Sequence, residues 1–365
     1  MSKIYNKICF LIFLIIIFLF SCNIYSKKNN LSNNSVIIES EVDIRSTLKY
    51  KYYDVLNISP AKIIIPKNQT VAQSLSVLVN DGHGHLVVFD GGRVEDADYL
   101  CDIIKDNGGV VTTWFITHIH DDHIGALYKI LSDKRTDIKI EEIVYDFADF
   151  EWYYEKMGND AGIYHLFENA INVYKINVNN KYIVNKMEKS FKYTYEDQEF
   201  IDRYKDSIEV PSYLRGPVGG ALGLEVNKLN DLYKLDQDPI NNTSIVYLVS
   251  LSNDKHNLLI FGDLGYEGGN KFFKYLDETD NEYLQYLTSR IYSSDIIVLS
   301  HHGQNGIAPE LYKKFSPKVV VWPTSKDIYE NKLEKYYTDD TKKALSEISS
   351  IEYEIKSYEE TAVIR

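Results

Sequence analysis

The segment FITHIHDDHIGAL, residues 115–127, constrains the fold and the chemistry of this chain more than any other. It places three of the nine histidines and two aspartates within six positions, directly after an apolar run. Alternate residues of an extended segment point to the same side, so His118 and His120 are expected to face one point. Asp122 and His123 follow in a turn before a predicted helix, so they can face a second point nearby.

Imidazole and carboxylate groups in this arrangement are typical of a metal site, because both are common ligands of Zn, Mn and Fe. Two such metals ~3.5–4 Å apart can activate one water molecule near neutral pH. The alternative is that the histidines only cap turns in a polar loop, which suits a single histidine better than this cluster. The segment therefore predicts two divalent metal ions, with zinc favoured and Mn or Fe as alternatives.

Two later segments offer further ligands. LLIFGDLG places Asp263 directly after a buried strand, and IIVLSHHG places His301 and His302 after another. Loops at one edge of a sheet often carry function, so these strand ends could converge with the first segment. A Gly-Asp turn alone is weak evidence for a metal ligand, but three segments of this kind in this order are specific evidence for a metal centre.

Alternating strand and helix patterns indicate an α/β layer architecture. Residues 74–92 predict two strands around an Asp81-Gly82 turn, and residues 95–106 predict a helix. The segment 149–235 is aromatic, charged and hard to assign, and its aromatic runs predict either a pocket wall or helices packed on the core. Further strands are predicted in VVTTWFIT, IKIEEIVYDF, SIVYLVSL, NLLIF, DIIVL and KVVVW, and a helix and terminal strands in the last 40 residues.

The N-terminal sequence predicts that the protein is located in the cell envelope. Lys3 and Lys7 precede an apolar stretch, residues 8–20, that has the length of a signal-peptide core and is short for a spanning helix of ~20 residues. The stretch ends in LFSC, which resembles a bacterial lipobox with Cys22 as the lipidated residue. We expect a signal peptide at 1–21, a flexible tether at 22–36 and the folded domain at 37–365. An uncleaved N-terminal anchor is the alternative, and either membrane of the envelope fits.

Composition and cysteine count limit which binding partners and which disulfides are expected. The chain has 365 residues, a net charge of −13 and 44% hydrophobic residues, so a large core is expected. The acidic balance disfavours non-specific binding to nucleic acid or anionic membranes, although nucleic acid stays open as a substrate. After processing, Cys101 alone would remain of the three cysteines, so no intramolecular disulfide is expected. We interpret Cys101 as a helix residue without chemistry.

The order FDGG, THIHDDH, GDLG, LSHHG resembles the metallo-β-lactamase-fold hydrolase superfamily. Within it, NNTSIVYLVSL, LLIFGDLG and IIVLSHHG are most similar to the branch that holds the hydrolase domain of the competence protein ComEC. The pneumococcal phosphorylcholine esterase has a similar His-His-Gly element. The resemblance spans roughly residues 72 to 325. It implies a four-layer αβ/βα sandwich with two metals at one sheet edge, and 149–235 as an insertion and possible substrate lid.

The resemblance also implies a role for each matching residue. His301 would face the substrate and stabilise charge or protonate the leaving group, and Asp122 would be the second catalytic residue. An exchange of roles between His301 and His302 stays open. Asp90 would orient the metal loop through hydrogen bonds, unless it is a plain turn aspartate. The implied ligands are His118 and His120 for the first metal, Asp122, His123 and His302 for the second, and Asp263 as the bridge.

One position departs from the family pattern. Many members carry a further metal-binding histidine before the strand that leads to the bridging aspartate, and this position falls near Ile240 in DPINNTS. Asn241, Asn242, Asp238 or water could substitute, and we expect a weaker, more solvent-open first site. Among the other histidines, His165 is a distant candidate for this ligand, whereas His83, His85 and His256 are predicted to be surface turn residues.

These features favour an exported, lipid-anchored, metal-dependent hydrolase of phosphoester or phosphodiester bonds. The expected partners are a small-molecule or cell-envelope phosphoester, nucleic acid as a substrate, and the membrane through the N-terminal lipid. One alternative is hydrolysis of a lactone, thioester or amide, although β-lactamase activity is disfavoured by the missing histidine. The other alternative is a metal-binding lipoprotein without turnover.

Overall fold

A computed structural model of the protein describes residues 48–174, 181–183, 190–193, 224–251, 255–332 and 335–365. The chain divides into two units, Met1–Thr47 and Leu48–Arg365. The predicted signal peptide, Cys22 and the tether all fall in the first unit, which lies outside the described residues. None of the helices in the described ranges is long and apolar enough to cross a membrane.

The strands of the second unit form two large sheets and one small one. In chain order they are β1 (Tyr50–Tyr53), β2 (Lys62–Ile65), β3 (Val77–Asn80), β4 (Leu86–Phe89), β5 (Val110–Val111), β6 (Thr113–Phe115), β7 (Lys139–Ile140), β8 (Ile143–Tyr145), β9 (Lys181–Ile183), β10 (Ser190–Tyr193), β11 (Leu224–Lys228), β12 (Tyr247–Leu251), β13 (His256–Ile260), β14 (Ile296–Val298), β15 (Val319–Trp322), β16 (Tyr353–Lys356) and β17 (Thr361–Ile364). The first sheet has the order β1-β17-β2-β3-β4-β6-β8-β9, and the second has the order β10-β11-β12-β13-β14-β15-β16. Strands β5 and β7 pair separately.

The helices cover the outer faces of the two sheets. In chain order they are α1 (Ala97–Asp106), α2 (Asp121–Ser132), α3 (Phe150–Met157), α4 (Gly162–Tyr174), α5 (Tyr266–Glu278), α6 (Glu282–Tyr292), α7 (Lys326–Tyr329) and α8 (Thr338–Ser346). Helices α1 to α4 contribute to a core on the first sheet, and α5 and α6 contribute to a core on the second.

Strand β4 shows how the sequence produces these layers. Its side chains alternate between the two faces of the sheet, because successive residues of a strand point in opposite directions. Leu86 and Val88 join the core under the helices, whereas Val87 and Phe89 join the core between the two sheets. The resulting order is helices, sheet, sheet, helices, which confirms the predicted four-layer αβ/βα sandwich.

The segment 149–235 is explained in part by packing on this core. Tyr153 of α3 and Phe167 of α4 are fully buried in the core of the first sheet. Both helices therefore follow the predicted alternative in which the aromatic residues pack on the body of the protein. The run VPSYLRGPVGG lies outside the described residues.

Two predicted strands are each divided in the structure. VVTTWFIT forms β5 and β6, and IKIEEIVYDF forms β7 and β8, so the prediction of single strands was wrong. Strands β5 and β7 pair with each other, whereas β6 and β8 pair within the first large sheet. Thr112 lies between β5 and β6, and its backbone N–H donates to the carbonyl of Leu86 at the start of β4 at 2.8 Å.

The carboxyl ends of several parallel strands meet at one edge of the sandwich. Strands β4, β6 and β8 run parallel in the first sheet, and β13 to β16 run parallel in the second. Hydrogen bonds join the sheets at this edge: the Ile245 amide donates to the Thr117 carbonyl at 3.0 Å, and the Tyr247 hydroxyl donates to the Ile116 carbonyl at 3.1 Å. Polar residues that follow these strands are therefore brought together.

Candidate metal centre

The metal loop, residues 117–123, runs from the end of β6 into helix α2. His120 has an extended backbone and precedes the helix, and the amides of His123 and Ile124 donate to its carbonyl at 3.0 Å each. The helix lies very close to the chain at Val94. A Cβ on Gly125 would lie 2.7 Å from the Val94 nitrogen, so glycine is required for this approach. The loop is thus held against the body of the protein.

The first cluster consists of His118, His120 and Asp263. Their candidate ligand atoms all lie within 4.8 Å of one another. His118 Nε2 is 3.0 Å from His120 Nδ1 and 3.8 Å from Asp263 Oδ2. His118 and Asp263 are buried, whereas His120 is partly exposed, so this cluster is the one that reaches toward solvent.

The second cluster consists of Asp122, His123 and His302, all buried. His302 Nε2 lies 3.2 Å from Asp122 Oδ2, and His123 Nε2 lies 4.0 Å from Asp122 Oδ1. The carboxylate of Asp263 also faces this cluster, with Oδ1 3.1 Å from His123 Nε2 and Oδ2 3.4 Å from His302 Nε2. Asp263 therefore stands between the two clusters.

The atoms that converge here fit metal ions. His123 Nε2, His302 Nε2 and Asp263 Oδ1 are buried, and none has a hydrogen-bond partner among the described residues. Burying polar atoms without partners costs free energy, and three such atoms at one point leave a place for a shared cation. Imidazole nitrogens and carboxylate oxygens without thiolates suit Zn, Mn or Fe, so both clusters could hold such a metal.

The electrostatics of the second cluster also favour cations. Burial lowers the pKa of His302, but the carboxylates of Asp263 and Asp122 outweigh burial and raise it to about 9. Burial likewise opposes charge on His123, yet Asp263 and Asp90 raise its pKa well above the usual value. Without metal, protons therefore occupy the nitrogens that face the carboxylates.

The two imidazoles of the first cluster behave differently. Burial is the largest cause that lowers the pKa of both His118 and His120, and neighbouring imidazoles lower it further. Both rings are therefore neutral near pH 7, which is the form that donates a lone pair to a metal.

The carboxylates are held in the ionised form. Burial raises the pKa of Asp122, but the imidazoles of His302 and His123 lower it far below its usual range. Asp263 follows the same pattern, with His123, His302 and His301 as the groups that lower its pKa. The centre thus offers anionic oxygens in a buried place, where attraction to a cation is strong.

Asp90 holds the metal loop in place through hydrogen bonds. Its carboxylate accepts hydrogen bonds from the Thr117 amide and the Thr117 hydroxyl, both at 2.8 Å, and from His123 Nδ1 at 2.8 Å. Burial raises the pKa of Asp90, and the His123 imidazole opposes this rise. The structure places Asp90 where it turns His123 Nε2 toward the second cluster, which a plain turn aspartate would not do.

The two adjacent histidines after β14 point to different places. His302 Nδ1 donates to the Pro323 carbonyl at 2.6 Å, and this leaves Nε2 facing Asp122 and Asp263. His301 lies at the rim, with Nε2 3.8 Å from Asp263 Oδ2 and Nδ1 3.7 Å from Asp238 Oδ2. Both residues adopt left-handed backbone angles, φ 47° and 57°, and this backbone turn separates the two rings.

Sequence reasoning missed three residues that position the centre. Thr117 bonds Asp90 through its amide and hydroxyl, and the Ser244 hydroxyl accepts from the Asp263 amide at 2.9 Å. Arg93 Nη2 lies 3.4 Å from Asp122 Oδ2. Thr117 adjoins the histidine motif, which was a usable signal, whereas Ser244 and Arg93 are distant in sequence and carry none.

The remaining predicted residues lie outside both clusters. His165, the distant ligand candidate, is exposed on α4 and packs beside Phe150 with ring centroids 3.9 Å apart, so that candidate was wrong. His256 begins β13 and pairs with Asp295 at 3.3 Å, so its prediction as a turn residue was also wrong. His83 and His85 lie at the predicted turn, where His85 pairs with Asp81 at 2.5 Å. Cys101 is buried in α1, and burial raises the pKa of its thiol to about 11.

Part of the chain matches a known protein family. Residues 70–217 match a family model described as the Metallo-beta-lactamase superfamily. This match covers less than half of the chain, so it shows a similarity to that superfamily over these residues, and the four-layer architecture is of the metallo-β-lactamase type. A comparison with curated proteins finds no match. The finer similarity to the ComEC-like branch stays a prediction.

Solved structures with a similar fold share little sequence with this chain. The metallo-beta-lactamase fold protein YhfI from Bacillus subtilis has 10% identity and a TM-score of 0.40, with 81% of this chain and 95% of that chain covered. Unliganded yeast PDE1 has 13% identity and a TM-score of 0.41, covering 84% and 97%. Human tRNase Z, short form, has 13% identity and a TM-score of 0.34, covering 71% and 90%. Likenesses this low indicate no substrate for this chain.

Proposed function

We propose that this chain of metallo-β-lactamase fold is a metal-dependent hydrolase of phosphoester or phosphodiester bonds. The observation that carries the proposal is the pair of clusters that share the Asp263 carboxylate, with three buried ligand atoms left without hydrogen-bond partners. His118, His120 and Asp263 would hold one divalent metal, and Asp122, His123, His302 and Asp263 would hold the other. Zinc is the first expectation, with Mn or Fe as alternatives.

The bound metals would polarise the substrate and lower the pKa of water. The chain's own residues would orient the ligands and donate hydrogen bonds to the substrate. Asp90 and the Pro323 carbonyl orient His123 and His302 through the ring nitrogens that face away from the clusters. His301 stands at the rim beside Asp263 and is placed to donate a hydrogen bond to a phosphoryl oxygen or to the leaving group.

A phosphoryl substrate suits this arrangement better than a carbonyl substrate. Two adjacent cations can stabilise both the attacking and the leaving oxygen of a displacement at phosphorus. The rim adds a further hydrogen-bond donor, since Asn241 Nδ2 lies 3.4 Å from His301 Nε2. A small-molecule or cell-envelope phosphoester is the proposed substrate, with nucleic acid as a further candidate.

Hydrolysis of bis-p-nitrophenyl phosphate after loading with Zn or Mn tests the proposal. We expect turnover in the wild type and a loss of at least about 100-fold in Asp122→Ala, because removing metal ligands abolishes water activation. Asp121→Ala is a matched control, since Asp121 is the adjacent aspartate, is 64% exposed in its side chain and contacts Arg93. Equal losses in both variants would contradict the assignment.

The same metal-loaded protein distinguishes the alternative activities. Turnover of a lactone, a thioester or nitrocefin without any phosphodiesterase activity would replace the phosphoester proposal with carbonyl chemistry. Stoichiometric metal without turnover on either class would indicate a metal-binding lipoprotein.

We also propose that the protein is anchored in the cell envelope through a lipid on Cys22. The support is the LFSC sequence after an apolar stretch. Expression in a bacterium with labelled palmitate should label the wild type, and detergent extraction should recover it with the membranes. Cys22→Ala should remove the label, and labelling that persists in this variant would contradict the proposal.

A further inference from the structure

The two clusters differ in their own oxygen ligands. With Asp263 shared, the second cluster has two imidazoles and the carboxylate of Asp122, whereas the first has two imidazoles alone. Ile240, the residue before Asn241, is apolar and is buried in the core of the first sheet, so it offers no ligand. The first cluster therefore lacks one donor.

The segment 238–245 passes directly between the two sets of metal-binding loops. At one end, the Ile245 amide donates to the carbonyl of Thr117, which precedes His118, at 3.0 Å. Beside it, the Ser244 hydroxyl accepts from the amide of Asp263 at 2.9 Å. The preceding turn of this segment, Asn241–Thr243, therefore lies next to the centre.

Asn241 places a free amide oxygen in this position. The residue is 6% exposed, and its Nδ2 donates to Asp238 Oδ1 at 2.8 Å and lies 3.4 Å from His301 Nε2. His301 Nε2 is in turn 3.8 Å from the shared carboxylate of Asp263. Asn241 Oδ1 is buried and has no hydrogen-bond partner among the described residues. A buried amide oxygen without a donor is costly, so a ligand is expected there.

The neighbouring polar residues do not offer the same group. Asn242 Oδ1 accepts from the amides of Gly265 and Gly268 at 3.0 Å each, and its Nδ2 donates to the Gln237 carbonyl at 2.7 Å. Asn242 is therefore occupied in holding the start of α5. Asp238 is 42% exposed in its side chain and accepts from Asn241.

We infer that Asn241 supplies a further oxygen donor to the first metal site. This inference rests on the proposed two-metal centre. Each site would then have two imidazoles, the shared carboxylate and one further oxygen. The two sites differ by one charge, since Asp122 is a carboxylate and Asn241 is a neutral amide. The first site should bind its ion more weakly than the second, and it should accept Mn²⁺ more readily than a three-imidazole site would.

Titration of the metal-free full chain in detergent with Mn²⁺, followed by the EPR signal of the free ion, tests the inference. We expect two classes of site in the wild type. Asn241→Ala should weaken the looser class by about ten-fold or more, with little change in the tighter class. Asn241→Asp adds a charge to the same oxygen donor, so it should tighten the looser class. A merely structural residue would not give these opposite directions.

Asn107→Ala is the matched control, because Asn107 is an asparagine that donates to the Ile103 carbonyl at the end of α1, away from both clusters. It should leave both classes unchanged. Two unchanged classes in Asn241→Ala would overturn the inference while leaving the two-metal centre intact. Fewer than two ions in the wild type would overturn the centre itself, and the inference with it. If Asn241→Ala does not fold, weaker Mn²⁺ binding in Asn241→Asp would overturn the inference.

Discussion

Single residues set the direction in which each imidazole of the centre points. His123 and His302 each direct one ring nitrogen away from the clusters, to the Asp90 carboxylate and to the Pro323 carbonyl. These bonds fix the tautomer, because the nitrogen that donates carries the proton and the other is free to bind a metal. Residues that never touch a metal therefore help to decide whether it binds.

Asp90→Asn should reduce the metal affinity of the second site by about 10–100-fold. The Asn side chain has a single oxygen and its nitrogen cannot accept, whereas Asp90 accepts from Thr117 at both of its oxygens and from His123 at one. Isothermal titration with Zn²⁺ measures the change. Asp81→Asn is the control, because Asp81 is also a buried carboxylate paired with a histidine, His85, at a distant turn. Similar losses in both variants would contradict a specific role for Asp90.

Protonation of His302 gives a stability that depends on pH and on metal. Its folded pKa of about 9 lies above the ordinary value of 6.5, so its contribution is full below pH 6.5 and is lost as the pH rises through 9. A bound metal replaces the proton, and its affinity should rise over the same interval. We expect the difference in Tm between loaded and metal-free protein to widen from pH 7 to pH 9. A constant difference, measured by scanning calorimetry, would contradict this assignment.

Secondary-structure elements contribute through the close approach of their ends. Gly262 follows β13 with φ 58°, and a Cβ there would lie 2.7 Å from Thr117 Cβ. The loops that carry Asp263 and the metal-binding histidines are therefore in direct contact. This spacing depends on glycine both for its backbone angle and for its size.

Gly262→Ala should destabilise the protein and weaken metal binding together, because the new methyl group pushes the two loops apart. A residue held at unfavourable positive φ costs about 1–3 kcal/mol, and the clash adds to it. Gly84→Ala separates the two effects, since Gly84 has φ 108° but nothing lies within 4 Å of its Cβ position. Urea denaturation should show a smaller loss for Gly84→Ala, and its metal affinity should be unchanged. Equal effects would exclude the close approach as the cause.

A buried ion pair joins the two sheets. Lys228 ends β11 of the second sheet, and Asp146 follows β8 of the first, with Nζ and Oδ2 2.8 Å apart. Lys228→Met should cost about 3–5 kcal/mol of unfolding free energy, because it leaves Asp146 buried without this partner. Adding Asp146→Asn should recover part of the loss. Lys139→Ala, in an exposed pair with Glu141, should change stability by less than about 1 kcal/mol. An additive double variant would contradict direct coupling.

At the scale of the whole molecule, the sequence predicts the layers and the ligand candidates better than the connections between them. His118, Asp122, Asp263 and His302 stand out because polar residues directly follow apolar strands, and such local patterns are readable. The pairing of Lys228 with Asp146 joins residues 82 positions apart, and no local pattern indicates it. The same holds for the free oxygen of Asn241, since the sequence alone did not separate Asn241 from Asn242 or Asp238.

The position of β17 has a consequence for how the protein is made. This strand lies between β1 and β2, parallel to one and antiparallel to the other. A growing chain can arrange β2, β3, β4 and β6 early, but the place beside β2 stays empty until residue 364 has been synthesised. Until then β2 is an open edge to which another chain could add, and completion of the first sheet is a late event for the nascent polypeptide.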